Sequence, residues 1–315
     1  MQWCECAWTG VQRVLAAYPQ GESEGVRLVF WGTVVGSWLL TFVRQNGQRN
    51  YSIVDRLWPL FPVGLVVQWA SEGSGGFSSK AIVAMVLVTA WGVRLCGNSV
   101  RRGDYALGAE DYRWAVVRDR MRAWVPACVM SVVWEVFNLG FVSLAELALL
   151  YQISVPVRRL AEYGGDDAWT VPELLLVVLM AALLTGETVA DAQQQAFQER
   201  KRRGAADAET TAGFVHSGLW RFSRHPNVFC ELAFWSTLGV FCAVATGTGV
   251  ASAAGACLLS GSGFLAALLC ASVQLTESIS QAKYPLYRAY QLRTSRLVPW
   301  CQWSNEQVIS RAHHY

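Results

Sequence analysis

Charge is what this chain has least of: only 16% of its 315 residues are Asp, Glu, Lys or Arg, against about a quarter in soluble domains. The shortage is uneven. Leu232 to Thr276 holds no charged residue at all, and that run is more than twice the roughly 20 residues that cross hydrocarbon as a helix. An ordinary water-soluble domain is excluded. Nine cysteines show no Cys-x-x-Cys pair and no metal-ligand spacing, so neither a disulfide framework nor a metal centre is expected. Cys4-x-Cys6 is the only close pair. A phosphate-binding glycine loop is missing too: Gly261-x-Gly263 follows no strand and reads as a close helix crossing. Met1–Cys6 lacks the basic start of a secretory leader. Net charge is only +3, with basic residues split among loops, which excludes a nucleic-acid surface.

What is present is apolar and helix-long. Leu28–Val43, Leu57–Ala70, Ala81–Val100, Ala123–Val157, Val171–Val189 and the two halves of Leu232–Thr276 predict about seven membrane helices. The last two form a hairpin broken at Thr246-Gly247-Thr248-Gly249. Ala123–Val157 is read as a tilted span followed by an interfacial stretch ending at Pro156. Residues 73–76 and 164–167 are expected turns, Asp191–Arg203 a polar extension of the fifth helix, and Gly204–Gly213 a loop. The predicted class is all-α, a polytopic membrane helical bundle spanning 26–303, with tails at 1–25 and 304–315. With seven spans, 20 of the 26 lysines and arginines fall on one side. Positive residues stay in the cytosol, which places the C-terminus there.

Against this background one stretch stands out. Residues 218–231 set Arg221, Arg224, His225, Asn227 and Glu231 at the start of an apolar run. Polar groups are costly near a bilayer, so such a cluster is a functional-site hypothesis. Glu187 and Asp191 share a helical face four residues apart, followed by Gln193, Gln194 and Gln195. Arg94 and Asn98 lead into Arg101, Arg102 and Glu110-Asp111-Tyr112-Arg113-Trp114, and Lys283-Tyr284-Pro285-x-Tyr287 lies near the C-terminus. These residue types suit a dinucleotide phosphate. Arginine forks hold phosphates, acids and amides hold ribose hydroxyls and a carboxamide, and tyrosine stacks. The expected cofactor is NADPH. Hydride transfer needs a dry cavity, and reduction of a conjugated ketone needs a tyrosine or carboxylic acid as proton donor. For Arg113, Arg118, Arg120 and Arg122 taken singly, a lipid-headgroup anchor is the plainer role.

Ser223-Arg224-His225-Pro226-Asn227-x-Phe229-x-Glu231 resembles the signature of the DUF1295 membrane proteins, relatives of the steroid 5α-reductases. Tyr51 through Asp55 with Trp58, Trp91-Gly92-x-Arg94, Glu110 through Trp114, Glu187-x-x-Ala190-Asp191, Lys283 through Tyr287, and Ser295-Arg296-x-x-Pro299-Trp300 are similar as well. The resemblance covers about residues 50 to 303. It implies a seven-helix fold that holds NADPH in its C-terminal half, about 171–303. The implied reaction reduces a carbon–carbon double bond conjugated to a carbonyl in an apolar lipid of steroid, sterol or polyprenyl type. It also implies an endoplasmic reticulum or other internal membrane, and cofactor contacts from Asp191, Asn227, Phe229, Glu231 and Tyr284. With the reading above, the expected cofactor-binding set is Asp191, Arg221, Arg224, His225, Asn227, Glu231, Lys283, Tyr284 and Tyr287. Cys230 replaces a glycine of the steroid enzymes, and Gln198 an arginine. Their early Gln-Glu-x-Pro segment, with its catalytic glutamate, is absent, so Asp55 and Tyr112 become the candidate catalytic acids. Two alternatives follow. An S-adenosylmethionine-dependent lipid or isoprenylcysteine methyltransferase shares the Arg-His-Pro motif, but Asn227 and the unpaired Glu277 depart from its pattern. A non-catalytic lipid-binding protein would suit the missing glutamate.

Overall fold

The computed structural model describes residues 19, 21–45, 47–72, 77–163 and 168–301. Cys4-x-Cys6 and the turns expected at 73–76 and 164–167 lie outside the described residues. Inside hydrocarbon every backbone N–H and C=O must find a partner within its own segment, which makes long apolar runs helical. The order is α1 (Glu24–Leu40), α2 (Ile53–Leu57), α3 (Leu60–Glu72), α4 (Ser79–Arg102), α5 (Tyr112–Arg122) and α6 (Met130–Phe137). A π-helical stretch, Asn138–Ala145, joins α6 to α7 (Glu146–Glu162). Then come α8 (Val171–Arg202), α9 (Ala208–Ala212), a 3-10 turn at Gly218–Arg221, α10 (Pro226–Ala245), α11 (Ala253–Lys283) and α12 (Tyr287–Arg293). Two isolated bridges aside, every regular element among the described residues is helical.

Five units are long and apolar enough to cross a membrane: α4, the continuous α6–α7 rod, α8, α10 and α11. The chain is an integral, multi-pass membrane protein. The other two expected spans are α1 and α3, with 17 and 13 residues. At 1.5 Å per residue they reach only about 26 and 20 Å, short of a bilayer core of roughly 30 Å.

The α6–α7 rod corrects two sequence expectations. Helix does not begin at Ala123: α5 stops at Arg122 and α6 starts at Met130, because Pro126 disfavours helix at the residue before it. Nor does the helix end at Pro156, which lies buried inside α7. A proline forfeits one backbone hydrogen bond, and the packing of α7 in the bundle outweighs that loss. The loop expected at Gly204–Gly213 contains α9, because the Asp207 carboxylate caps it by accepting from the Glu209 and Thr210 N–H groups.

The α10–α11 hairpin breaks where expected, with Gly247 and Gly249 at positive φ. Gly261 is where α11 crosses α7: a Cβ there would sit 2.7–2.8 Å from the Gln152 and Ile153 backbone, whereas one at Gly263 would meet nothing. Gly261→Leu should therefore force the helices apart at a cost of about 1–3 kcal/mol. Its thermal midpoint in detergent should fall while that of Gly263→Leu stays put; equal midpoints would refute the crossing.

Trp91 meets Trp235 edge-on at 4.9 Å at the centre of the bundle. At the end opposite the basic loops, Lys80 and Glu173 form a buried ion pair of 2.8 Å. There too, Glu22 accepts from the Tyr151 hydroxyl at 2.5 Å and pairs with Arg158 at 2.9 Å, tying the stretch before α1 to α7. Both devices fix the bundle at the end opposite the basic loops.

Candidate functional site

Three polar groupings occupy the basic end. The first joins α4, α8 and α10. Arg94 reaches across to α8, with Nη2 2.6 Å from Glu187 Oε1 and Nη1 on Asp191 Oδ2. The four-residue spacing of Glu187 and Asp191 presents both acids to one guanidinium. Pro226 opens α10, as suits a residue with no N–H to leave unpaired. One residue on, Asn227 Nδ2 donates to Asp191 Oδ1 at 3.2 Å, and Glu231 follows one turn later. Several buried atoms here have no hydrogen-bond partner among the described residues: Glu187 Oε2, Glu231 Oε1, Asn227 Oδ1, Arg94 Nε and Gln194 Oε1. An unpaired buried polar atom costs about 1–3 kcal/mol, and a ligand supplying complementary groups would remove that cost.

The second grouping closes on itself. Arg224 Nε and Nη2 fork onto the two Glu277 oxygens at 2.6 and 3.1 Å. Arg224 Nη1 donates to the Gln291 carbonyl at 2.9 Å and to that of Thr294. His225 Nε2 lies 3.1 Å from Glu277 Oε1, and Gln291 and Arg296 approach the same carboxylate. Arg224 and His225 thus fasten α10, α11 and the segment after α12 together. The protein's own carboxylate holds them where a phosphate was expected. Arg221 is exposed, its side chain without a partner among the described residues, and Lys283 is exposed beside the Tyr284 ring at 5.4 Å.

The third grouping is aromatic. Lys201 Nζ donates to the Tyr284 hydroxyl at 3.1 Å and to the Gly213 carbonyl at 3.0 Å. Burial pushes the Tyr284 phenol up, but the Lys201 and Lys283 ammonium groups outweigh it and hold the pKa below the usual value. Phe214 packs on Tyr284, Tyr287 and Tyr290. Gly213 has φ +91°, and a Cβ there would lie 2.4 Å from the Tyr284 ring. Tyr287 is buried, and burial raises its phenol above the usual range.

A cavity of about 460 Å³ opens beside the first grouping, between α2, the α4–α5 loop, the π-helical stretch and α11. Leu268, Leu269 and Leu275 give it an apolar wall, and Asp55, Glu146 and Glu231 reach it from three elements. Trp114 Nε1 donates to Asp55 Oδ2 at 2.9 Å. Burial raises the Asp55 pKa, and the pull of Arg113 and Trp114 does not cancel it. Arg113 forks onto Asp111 at 2.9 and 2.8 Å and donates to Ser272 at 2.6 Å, so it stitches α5 to α11 and is no lipid anchor. Burial would raise Asp111, yet the Arg113 bonds win and hold it low. Tyr112 is 56% exposed and outside the cavity lining. Of the two candidate acids, only Asp55 lines the chamber.

The raised Asp55 pKa has a testable sign. A carboxyl raised on folding stabilises below its unfolded pKa of about 3.9 and loses that contribution as pH rises through the folded value. Asp55→Asn removes the charge while its amide oxygen still accepts from Trp114. The variant should gain stability over the parent as pH climbs from about 4 to about 8. Parallel thermal midpoints across that range would contradict the assignment.

Sequence reasoning brought Asp191, Asn227 and Glu231 to one place, where Asp191 and Asn227 meet. It missed Glu146 and undervalued Glu277. The available signal was a carboxylate inside an apolar run for Glu146 and one directly at the end of such a run for Glu277.

The family described as "Protein of unknown function (DUF1295)" matches residues 41–294, and the chain belongs to it. An uncharacterized protein of Schizosaccharomyces pombe is 30% identical over 295 residues, covering 86% of this chain and 81% of its own. No solved structure matches.

Proposed function

We propose that this member of the DUF1295 family is a membrane-embedded, NADPH-dependent reductase. Its substrate would be an apolar lipid of steroid, sterol or polyprenyl type carrying a double bond conjugated to a carbonyl. One observation carries the reading: an apolar chamber with an acid whose pKa burial raises, Asp55, lies beside a half-buried Asp191–Asn227 pair with unfilled acceptors. The unpartnered oxygens of Asn227, Glu231 and Gln194 suit the N–H and O–H donors of a carboxamide and ribose. The exposed Arg101, Arg221 and Lys283 offer charge for phosphates, while Arg224 is already held by Glu277. The cofactor would supply a hydride. Asp55 would hold a proton for the substrate's carbonyl oxygen, and the leucine wall would exclude water. In this reading the basic end faces the cytosol of an internal membrane.

Full-length protein purified in detergent should be stabilised saturably by NADPH and should consume it with a sterol or polyprenyl enone. Asn227→Ala should weaken NADPH binding about tenfold, the effect of one lost hydrogen bond to a buried partner. Stabilisation by S-adenosylmethionine in its place would indicate a methyltransferase, and by neither a lipid-binding protein. Folded protein without saturable NADPH binding overturns the proposal.

A further inference from the structure

The charges around the cavity do not balance. At its mouth Arg102 is paired with Asp104 at 2.7 Å. Arg56 is held by the carbonyls of Asp104, Ala106 and Ala109 at 2.9–3.1 Å, and Glu110 is paired with Arg118 at 2.8 Å. Deeper in, Arg113 is spent on Asp111 and Ser272. Every arginine on the wall is therefore occupied, whereas Asp55, Glu146 and Glu231 form no ion pair among the described residues. Glu146 is the extreme case. It is 5% exposed and lines the cavity, and its side chain forms no hydrogen bond or ion pair among the described residues; its Oε2 is buried with no partner there.

The same wall is aromatic. Trp114 meets Phe137 edge-on at 6.2 Å, and Phe137 stacks on Phe141 at 5.1 Å, giving a ladder that leads from the Asp55 carboxyl, which Trp114 touches, to the exposed Phe141. Trp58 lines the chamber beside Glu231. The π-helical stretch runs from the residue after Phe137 to the one before Glu146, and such stretches recur at functional sites. An acid without a counter-ion in apolar surroundings keeps its proton, because ionising it there is costly; a cationic head beside it offsets that cost, and aromatic faces attract organic cations. From these two features together we infer that the cavity selects an amphiphile with a protonated amine head and a hydrocarbon body. The head sits among Asp55, Glu146 and Glu231, and the body runs along the phenylalanine ladder. This binding needs no nicotinamide cofactor and stands apart from the reduction proposed above; under that proposal such an amine occupies the substrate's place and competes with it.

The test uses the full chain in a neutral maltoside detergent, without nucleotide, titrated with N,N-dimethyldodecylamine, 2-dodecanone or dodecyl sulfate. The amine should raise the thermal midpoint saturably, by on the order of 5 °C, and the ketone and sulfate should not. The double variant Asp55→Asn, Glu146→Gln keeps side-chain shape without the charge and should bind the amine at least tenfold more weakly. If that variant fails to fold, Glu146→Gln alone should weaken binding, with the sulfate as the control for detergent effects. A ketone shift equal to the amine's, or undiminished amine binding in the folded variants, overturns the inference.

Discussion

Glu277→Ala should cost about 3–5 kcal/mol, the penalty for stripping a buried charge of its partner. Both side chains of the Arg224–Glu277 pair are more than nine-tenths buried. The same carboxylate also receives His225 and Gln291, so alanine leaves a guanidinium, an imidazole and an amide facing an empty space. The damage should concentrate where Arg224 holds the carbonyls of Gln291 and Thr294 and where its backbone N–H meets the Ser295 carbonyl. Limited proteolysis should cut first after Lys283, and the thermal midpoint in detergent should drop sharply. The double variant Arg224→Met, Glu277→Leu should recover much of the loss, since apolar replacements of a buried pair are often neutral or better. A Glu277→Ala protein with parental stability and protease resistance would mean that this fastening does not exist.

Arg94→Met should be comparably severe. It leaves Glu187 and Asp191 side by side in the bundle with Glu231 close behind, and a buried pair deprived of one partner loses about 3–5 kcal/mol. Adding Glu187→Gln and Asp191→Asn removes the stranded charge and should restore folding. Under the reductase proposal the triple variant regains its thermal midpoint but not NADPH binding, because the Asp191–Asn227 arrangement has lost its charge. Restored stability together with parental NADPH affinity would detach this grouping from the cofactor. Loss of stability that the added neutral residues do not relieve would show that Arg94 acts through something other than these two acids.

The two arginines show how far a sequence can be read. Arg94 with Glu187 and Asp191 was legible in kind, because two acids four residues apart share a helical face. Its partnership across 93 and 97 residues was not. Arg224 read as a phosphate ligand, since a guanidinium at a membrane boundary fits a phosphate and a carboxylate equally well. Only the rotation of α11 brings Glu277 under it. Arg113 looked like a headgroup anchor for the same reason, and Tyr112 like a catalytic phenol. The start of α5 places the first on Asp111 and Ser272 and turns the second outward. Pro156 failed as a helix stop because its single lost bond is local, while the burial that overrides it comes from neighbouring helices.

The amino-acid order alone determined that this is an all-helical membrane protein with a polar end, because hydrocarbon forces each apolar run to satisfy its own backbone. It also determined the hairpin break at Gly247 and Gly249, where the backbone conformation is a property of the residue itself. Tertiary structure decided which buried ions are matched and which are left open. Near-identical side chains end up as a fastening at Glu277 or as an unpartnered acid at Glu146. That outcome depends on helix rotation and on partners tens of residues distant, quantities set by packing the bundle as a whole.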